Sequence, residues 1–135
     1  MTHRAIAATI LVSIMTLALG ATALGASWRP FHNKTDDSVM FYDYDSIVAP
    51  TKTSVNVWIK HEVRAKIYSL SLWEISCSER KIRTLIKHGY DTSNNSIIEL
   101  PNSDDRYPTR WTYAVPDTYE YKLTSMLCKK DGTAN

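Results

Sequence analysis

The side chains able to do chemistry in this 135-residue chain fall into a few local groups. Asp43, Tyr44 and Asp45 set two carboxylates at alternate positions, a spacing that can hold a divalent ion through oxygen ligands. With a nearby His they would suit a metal-dependent enzyme, but the same residues suit a turn that ends a strand, with Asp45 or Ser46 bonding nearby backbone N–H groups. The turn is the preferred reading, and no metal ligand is assigned. Arg80, Lys81, Arg83 and Lys87 place four cations in eight residues. Such a run is either a solvated strand face or a patch that attracts an acidic partner, namely an anionic polysaccharide, a lipid headgroup or a protein. Trp58 and Lys60 stand at alternate positions of another β-like segment, and a ring on a polar strand face is the residue type that anchors an interface or stacks on a sugar. Trp58, Lys60, Arg80, Lys81, Arg83 and Lys87 are therefore the candidate binding surface. Hydrolase, zinc-protease and phosphate-loop signatures are absent, and two of the four glycines lie in the first 25 residues. No catalytic residue and no cofactor is expected, and a binding module is favoured over an enzyme.

The N-terminus sets the compartment. His3 and Arg4 form a short basic start, Ala5 to Leu19 is apolar with scattered Ser and Thr, and no charge follows until Arg29. Small residues at Ala23-Leu24-Gly25 and Leu24-Gly25-Ala26 offer a cleavage point, so residues 1–26 read as a secretory signal peptide and 27–135 as one exported domain. The uncharged run is also long enough to remain as a membrane anchor, though its Ala, Gly and Thr content weakens that reading. No Cys stands near the cleavage point, which sets aside a bacterial lipoprotein. Arg4 is the one leader charge, so 15 of the 16 basic side chains remain against 14 acidic ones. A surface so near neutrality argues against nucleic acid as a partner.

Cys77 and Cys128 are the two cysteines, both in the exported part, and a disulfide is the simple reading. Its alternative, a reactive or metal-binding thiol pair, lacks a Cys-x-x-Cys motif or a suitably spaced His.

The elements that must position these residues are mostly strands. From Val55 to Ile67 the odd positions are apolar apart from His61 and the even ones are mostly polar, which predicts one long antiparallel strand, straight or bent. His61 is read as a hydrogen-bonded structural histidine. Tyr68 to Cys77 continues the alternation with a phase change near Leu72, as a β-bulge or tight bend would produce. Arg80 to Lys87 and Ile97 to Leu100, joined by the turn residues from Gly89 to Ser96, form a hairpin. Ser38 to Tyr42 and Arg110 to Val115 make shorter strands. Asp117 and Glu120 form a capping box for a helix with Tyr119, Leu123, Met126 and Leu127 on one face, which lays the helix on the sheet and brings Cys128 to it. Ser27 to Asp37, Pro101 to Thr109 and the tail Lys129 to Asn135 read as loops or frayed ends.

In order, FYDYDSI (41–47), SVNVWIK (54–60), LWEISCSERKIRTL (72–85), a Tyr-Asp turn (90–91), a Trp followed by a Pro-containing turn (111–116) and a closing helix ending in Cys128 resemble the surface-adhesin protein E family of exported bacterial proteins. The resemblance spans nearly the whole mature chain. It implies an α+β fold of about six antiparallel strands with a C-terminal α-helix packed on them, and one Cys77–Cys128 disulfide fastening helix to sheet. It also implies an exported binding domain, whose partner is a protein or another envelope or extracellular component. The chain departs from the family at Pro116-Asp117-Thr118, where a Pro-Gly-Ser turn is expected, and in lacking the lipobox cysteine. A soluble periplasmic or secreted location, with cell-surface association open, fits better than lipid-anchored display. Dimerisation through a sheet edge or face is a further expectation, and no stable membrane insertion is expected after cleavage. A structural component of a periplasmic or envelope assembly is the alternative, ahead of a periplasmic metal-dependent enzyme.

Overall fold

The computed structural model describes residues 25–35, 37–63, 67–93, 96–98 and 106–135. Residues 1–24 of the expected leader fall outside them, as do 64–66 and 99–100 of the expected strands and 101–105 of the expected loop. The elements are β1 (Trp28–Thr35), β2 (Ser38–Asp43), β3 (Val48–Thr51), β4 (Ser54–Val63), β5 (Ile67–Ser76), β6 (Lys81–Asp91), β7 (Ser96–Ile98), β8 (Thr112–Tyr113) and α1 (Tyr119–Leu127). Every pairing is antiparallel, and the main path runs β1-β2-β4-β5-β6-β7. Short β3 shares the outer edge of β4 with β2, and β8 shares the outer edge of β6 with β7. The expected six-strand sheet, C-terminal helix and single disulfide are therefore present.

The alternating code works as read along β4, where Val55, Val57 and Ile59 are at most 1% exposed. The expected single run to Ile67 is instead two strands. β4 stops at Val63 and β5 starts at Ile67 as its antiparallel neighbour, so the chain reverses where the period-two pattern does not break. His61 holds Ser38 Oγ through Nε2 at 2.6 Å.

β5 corrects a second expectation. Its buried residues are Ser69, Ser71, Trp73 and Ile75, one unbroken face, so Leu70 and Leu72 point to the other side. The phase change belongs to the partner strand. Leu72 pairs with Ile86 and Trp73 with Thr84, which leaves Leu85 as an extra residue, a bulge in β6.

Ser27 to Asp37 is not a loop but largely strand β1. A register shift between Pro30 and His32 lets Phe31 turn inward, 4% exposed, and meet Tyr42 edge-on at 6.1 Å. The bulge spoils the period in sequence, and an edge position accommodates Pro30. The tail is pinned rather than frayed. Ala134 N–H donates to the Lys52 carbonyl at 2.8 Å, Asn135 N–H to the Leu127 carbonyl at 3.0 Å, and Cys128 bridges to Ala134.

Helix α1 begins one residue later than the capping-box reading. Asp117 takes a left-handed φ of 67°, and Thr118 is the N-cap, its Oγ1 accepting from Tyr121 N–H at 3.3 Å. Leu123, Thr124 and Leu127 face the sheet, while Met126 is 38% exposed and lies off the buried stripe. Tyr119 closes the first turn against Trp73 and His32, with ring centroids 6.0 and 5.7 Å apart. Cys128, next after the helix, joins Cys77 at the end of β5.

Three outcomes follow from this packing. Leu123→Ala, at a fully buried site, lowers folding free energy by about 3 kcal/mol, read as a lower urea midpoint at unchanged slope. Replacing both cysteines by alanine opens a 51-residue loop and costs about 4 kcal/mol relative to the oxidised protein, read by guanidinium unfolding. Burial, aided by Glu120, pushes the Tyr119 phenol up from 10.0 to about 12. The neutral phenol is thus favoured in the folded state, a contribution fully present below pH 10 and lost as pH rises towards 12, where the unfolded chain ionises first. Across that window the urea midpoint of the parent protein falls relative to that of Tyr119→Phe.

Candidate functional site

The two faces of the sheet differ in kind. The inner face carries the core and the helix, with Trp73, Ile75 and Ile82 packed with Leu123 and Leu127. The outer face follows from register. Phe41 pairs with Lys60 and Lys60 with Leu70, while Trp58 pairs with Leu72 and Leu72 with Ile86. These five apolar or aromatic side chains lie half-buried or exposed on neighbouring strands, and among the described residues no helix packs on them. Leu70 and Leu72 belong to this face because β5 keeps its phase, and Ile86 belongs to it because the Leu85 bulge restores contact with Leu72.

Polar residues punctuate the apolar ones. Lys60 Nζ meets Glu62 Oε1 at 2.6 Å and stands 4.8 Å from the Phe41 ring centre and 5.1 Å from that of Trp28. Arg83 donates from Nε to Glu74 Oε2 at 2.7 Å, with Nη2 at 2.6 Å from the same oxygen, and its guanidinium lies 4.5 Å over Trp111. Lys81 donates to Glu79 Oε1 at 3.2 Å and sits 5.0 Å over Tyr113. The Glu79 hydrogen bond is the first cause of its raised pKa. The partly buried pairs Lys60–Glu62 and Arg83–Glu74 contribute about 0–1 kcal/mol each, so they order the surface more than they stabilise the fold. Each of these cations lies within the roughly 6 Å at which an ammonium or guanidinium is held by an aromatic face.

Of the expected binding residues, Trp58, Lys60, Lys81 and Arg83 share the outer face. Lys87 does not. The bulge reverses the parity of β6, so Lys87 pairs with inner-facing Ser71, and it is exposed. Arg80 sits in the turn after β5 with a left-handed φ of 55°, donating from Nη2 to the Lys129 carbonyl at 3.3 Å while its own carbonyl accepts from Ala114 N–H. It ties the tail and the β8 segment to the sheet. The four cations therefore do not form one patch, and three of them are already engaged with acidic or carbonyl oxygens.

Sequence reasoning missed Leu70, Leu72, Ile86, Trp111 and Tyr113. For the first two, unbroken alternation through Ser69 and Ser71 was the available signal; Trp111 and Tyr113, 38% and 67% exposed, stand on either side of Thr112, a spacing that puts both rings over outer-face cations.

Asp43 and Asp45 do not converge on an ion. Asp43 Oδ1 accepts from Ser27 N–H at 2.8 Å and Asp45 N–H at 3.2 Å, while Ser46 Oγ donates to the Asp43 carbonyl and accepts from Trp58 N–H. This is the turn that the preferred reading expected, built mainly by Asp43. Among the described residues no group of three or more His, Cys, Asp or Glu side chains is placed to hold a metal, and no helix is long and apolar enough to cross a membrane.

No protein-family model, curated protein or solved structure matches this chain.

Proposed function

We propose that this chain is an exported binding domain of the surface-adhesin E type, which holds a protein or other envelope partner on the outer face of its sheet. The observation that carries this reading is the outer face itself. Phe41, Trp58, Leu70, Leu72 and Ile86 form an apolar field between two charge pairs, Lys60–Glu62 and Arg83–Glu74. Strand surfaces left to water normally read as polar on every outward position. Apolar centre and paired polar rim is the anatomy of a protein interface, with Trp and Arg as the residue types that contribute most when such a surface is covered. Export of the domain is supported by the buried Cys77–Cys128 bond and by the order of basic, apolar and small residues in 1–26.

The test is capture of envelope components by the tagged protein, with quantitative mass spectrometry of what is retained. Trp58→Ser with Leu72→Ser keeps the unfolding transition and weakens retention of the partner by about thirtyfold, the equivalent of roughly 2 kcal/mol at an interface centre, and Lys81→Ala with Arg83→Ala, at the rim, weakens it by a smaller factor. Lys87→Glu, on the other side, leaves retention unchanged. Equal recovery by the parent and both outer-face variants defeats the reading.

A further inference from the structure

On the helix side of the sheet, away from the outer face, a cavity of about 340 Å³ opens between β6, the first turn of α1 and the extended segment 109–112. Its volume lies at the lower end of the roughly 300–1,000 Å³ found for small-molecule sites. Trp73, Ile82 and Tyr119 supply its apolar lining. Trp73 and Ile82 are 8% and 4% exposed, so both belong to the core and reach the cavity by one edge.

The segment that walls it off is fastened to β6 at three points. Thr109 N–H donates to the Thr84 carbonyl at 2.8 Å, Thr84 N–H donates to Thr109 Oγ1 at 2.9 Å, and Thr112 Oγ1 donates to the Ile82 carbonyl at 3.3 Å. The cavity is thus formed before anything enters it, which removes an ordering cost from binding. These bonds also fix the roles of the hydroxyls. Thr109 Oγ1 accepts from the backbone, so its own O–H remains a donor to the cavity.

Charge at the rim is uneven. Arg83 is among the lining residues, but its guanidinium is committed to Glu74 on the far face. Glu120 also lines the cavity, and its interaction with the Tyr119 phenol is among the causes that raise that group's pKa. Arg110 is exposed and has no ion pair or hydrogen bond among the described residues. The cavity therefore offers an apolar interior, a hydroxyl donor and a guanidinium uncommitted among the described residues, a planar fork suited to a carboxylate.

We infer that this cavity binds a small amphipathic carboxylate, its apolar body against Trp73, Ile82 and Tyr119 and its carboxylate on Arg110 and the Thr109 hydroxyl. The site is independent of the proposed outer-face function, because it lies on the opposite side of the sheet.

Titration of the full chain with 3-phenylpropionate, followed by calorimetry and tryptophan fluorescence, tests it against two probes of the same shape, neutral 3-phenylpropanamide and cationic 2-phenylethylamine. Saturable binding of the carboxylate is expected, with the amide and the amine each weaker by about tenfold or more, the size of one charge-assisted contact. Arg110→Gln removes the preference for carboxylate over amide, and Thr84→Phe, which fills the cavity from β6, abolishes binding of all three while unfolding remains cooperative. If Thr84→Phe fails to fold, competition between 3-phenylpropionate and a spin-labelled carboxylate, with paramagnetic broadening of the Trp73 indole and Tyr119 ring signals, locates the site instead. No saturation in the millimolar range, equal binding of amide or amine, binding indifferent to Arg110→Gln, or broadening elsewhere overturns the inference.

Discussion

One junction holds this molecule together. At the end of β5, Cys77 is bonded to Cys128, donates its N–H to the Thr53 carbonyl at 2.8 Å, and lies beside Gly132 of the tail. Gly132 has φ +84°, and a Cβ there would stand 3.1 Å from the Ser78 Cα, so both the backbone angle and the space call for glycine. The helix joined at this point has nine residues, shorter than the ~12–15 that an isolated helix needs to persist in water. It exists because Leu123 and Leu127 are covered by the sheet and because its last turn is covalently tied. The sheet depends on it in return, since a single sheet layer with an apolar inner face cannot stay folded uncovered.

The same junction explains why the tail is ordered although its composition reads as frayed. Lys129 N–H donates to Thr133 carbonyl at 2.7 Å, and the Asp131 carboxylate accepts from Thr133 Oγ1 and N–H at 2.6 and 2.9 Å. Those bonds lower the Asp131 pKa, the Thr133 hydroxyl first among the causes. None of them involves an apolar residue, so hydrophobic periodicity could not announce them. Periodicity did announce the inner faces of β4 and the helix, because each buries one regular stripe, and the turn residues after Gly89 announced the β6–β7 hairpin. It could not tell one strand from two across Val63 and Ile67, for a hairpin whose partners keep the same parity leaves the pattern unbroken. It failed at β1, where the Phe31 bulge and Pro30 disguise an edge strand, and at β3, four exposed residues with no stripe at all.

The candidate surface was half legible. Trp58 and Lys60 could be placed together because two residues apart on a strand means one face. Charge spacing on β6 misled, because the same rule applied to Lys81, Arg83 and Lys87 ignores the extra residue between them. Apolarity alone does not say which way Leu70 and Leu72 point, because the small hydroxyls of Ser69 and Ser71 occupy the inner face at the end where His61 and Ser38 make it polar. A run of half-buried and exposed apolar side chains on the side of the sheet away from the helix is the informative departure from the usual pattern.

The Leu85 bulge gives β6 one residue more than the stretch of β5 it pairs with, so the strand responds unequally to loss and gain of length. Loss of the Leu85 codon would leave Thr84 opposite Trp73 and Ile86 opposite Leu72, so the bulge would close and both halves of the strand would keep their faces. Gain of a codon there would add a second unpaired residue, or else exchange the faces of one half and carry Ile82 or Ile86 to the wrong side. Heritable variation in this strand is therefore freer to shorten it by one letter than to lengthen it.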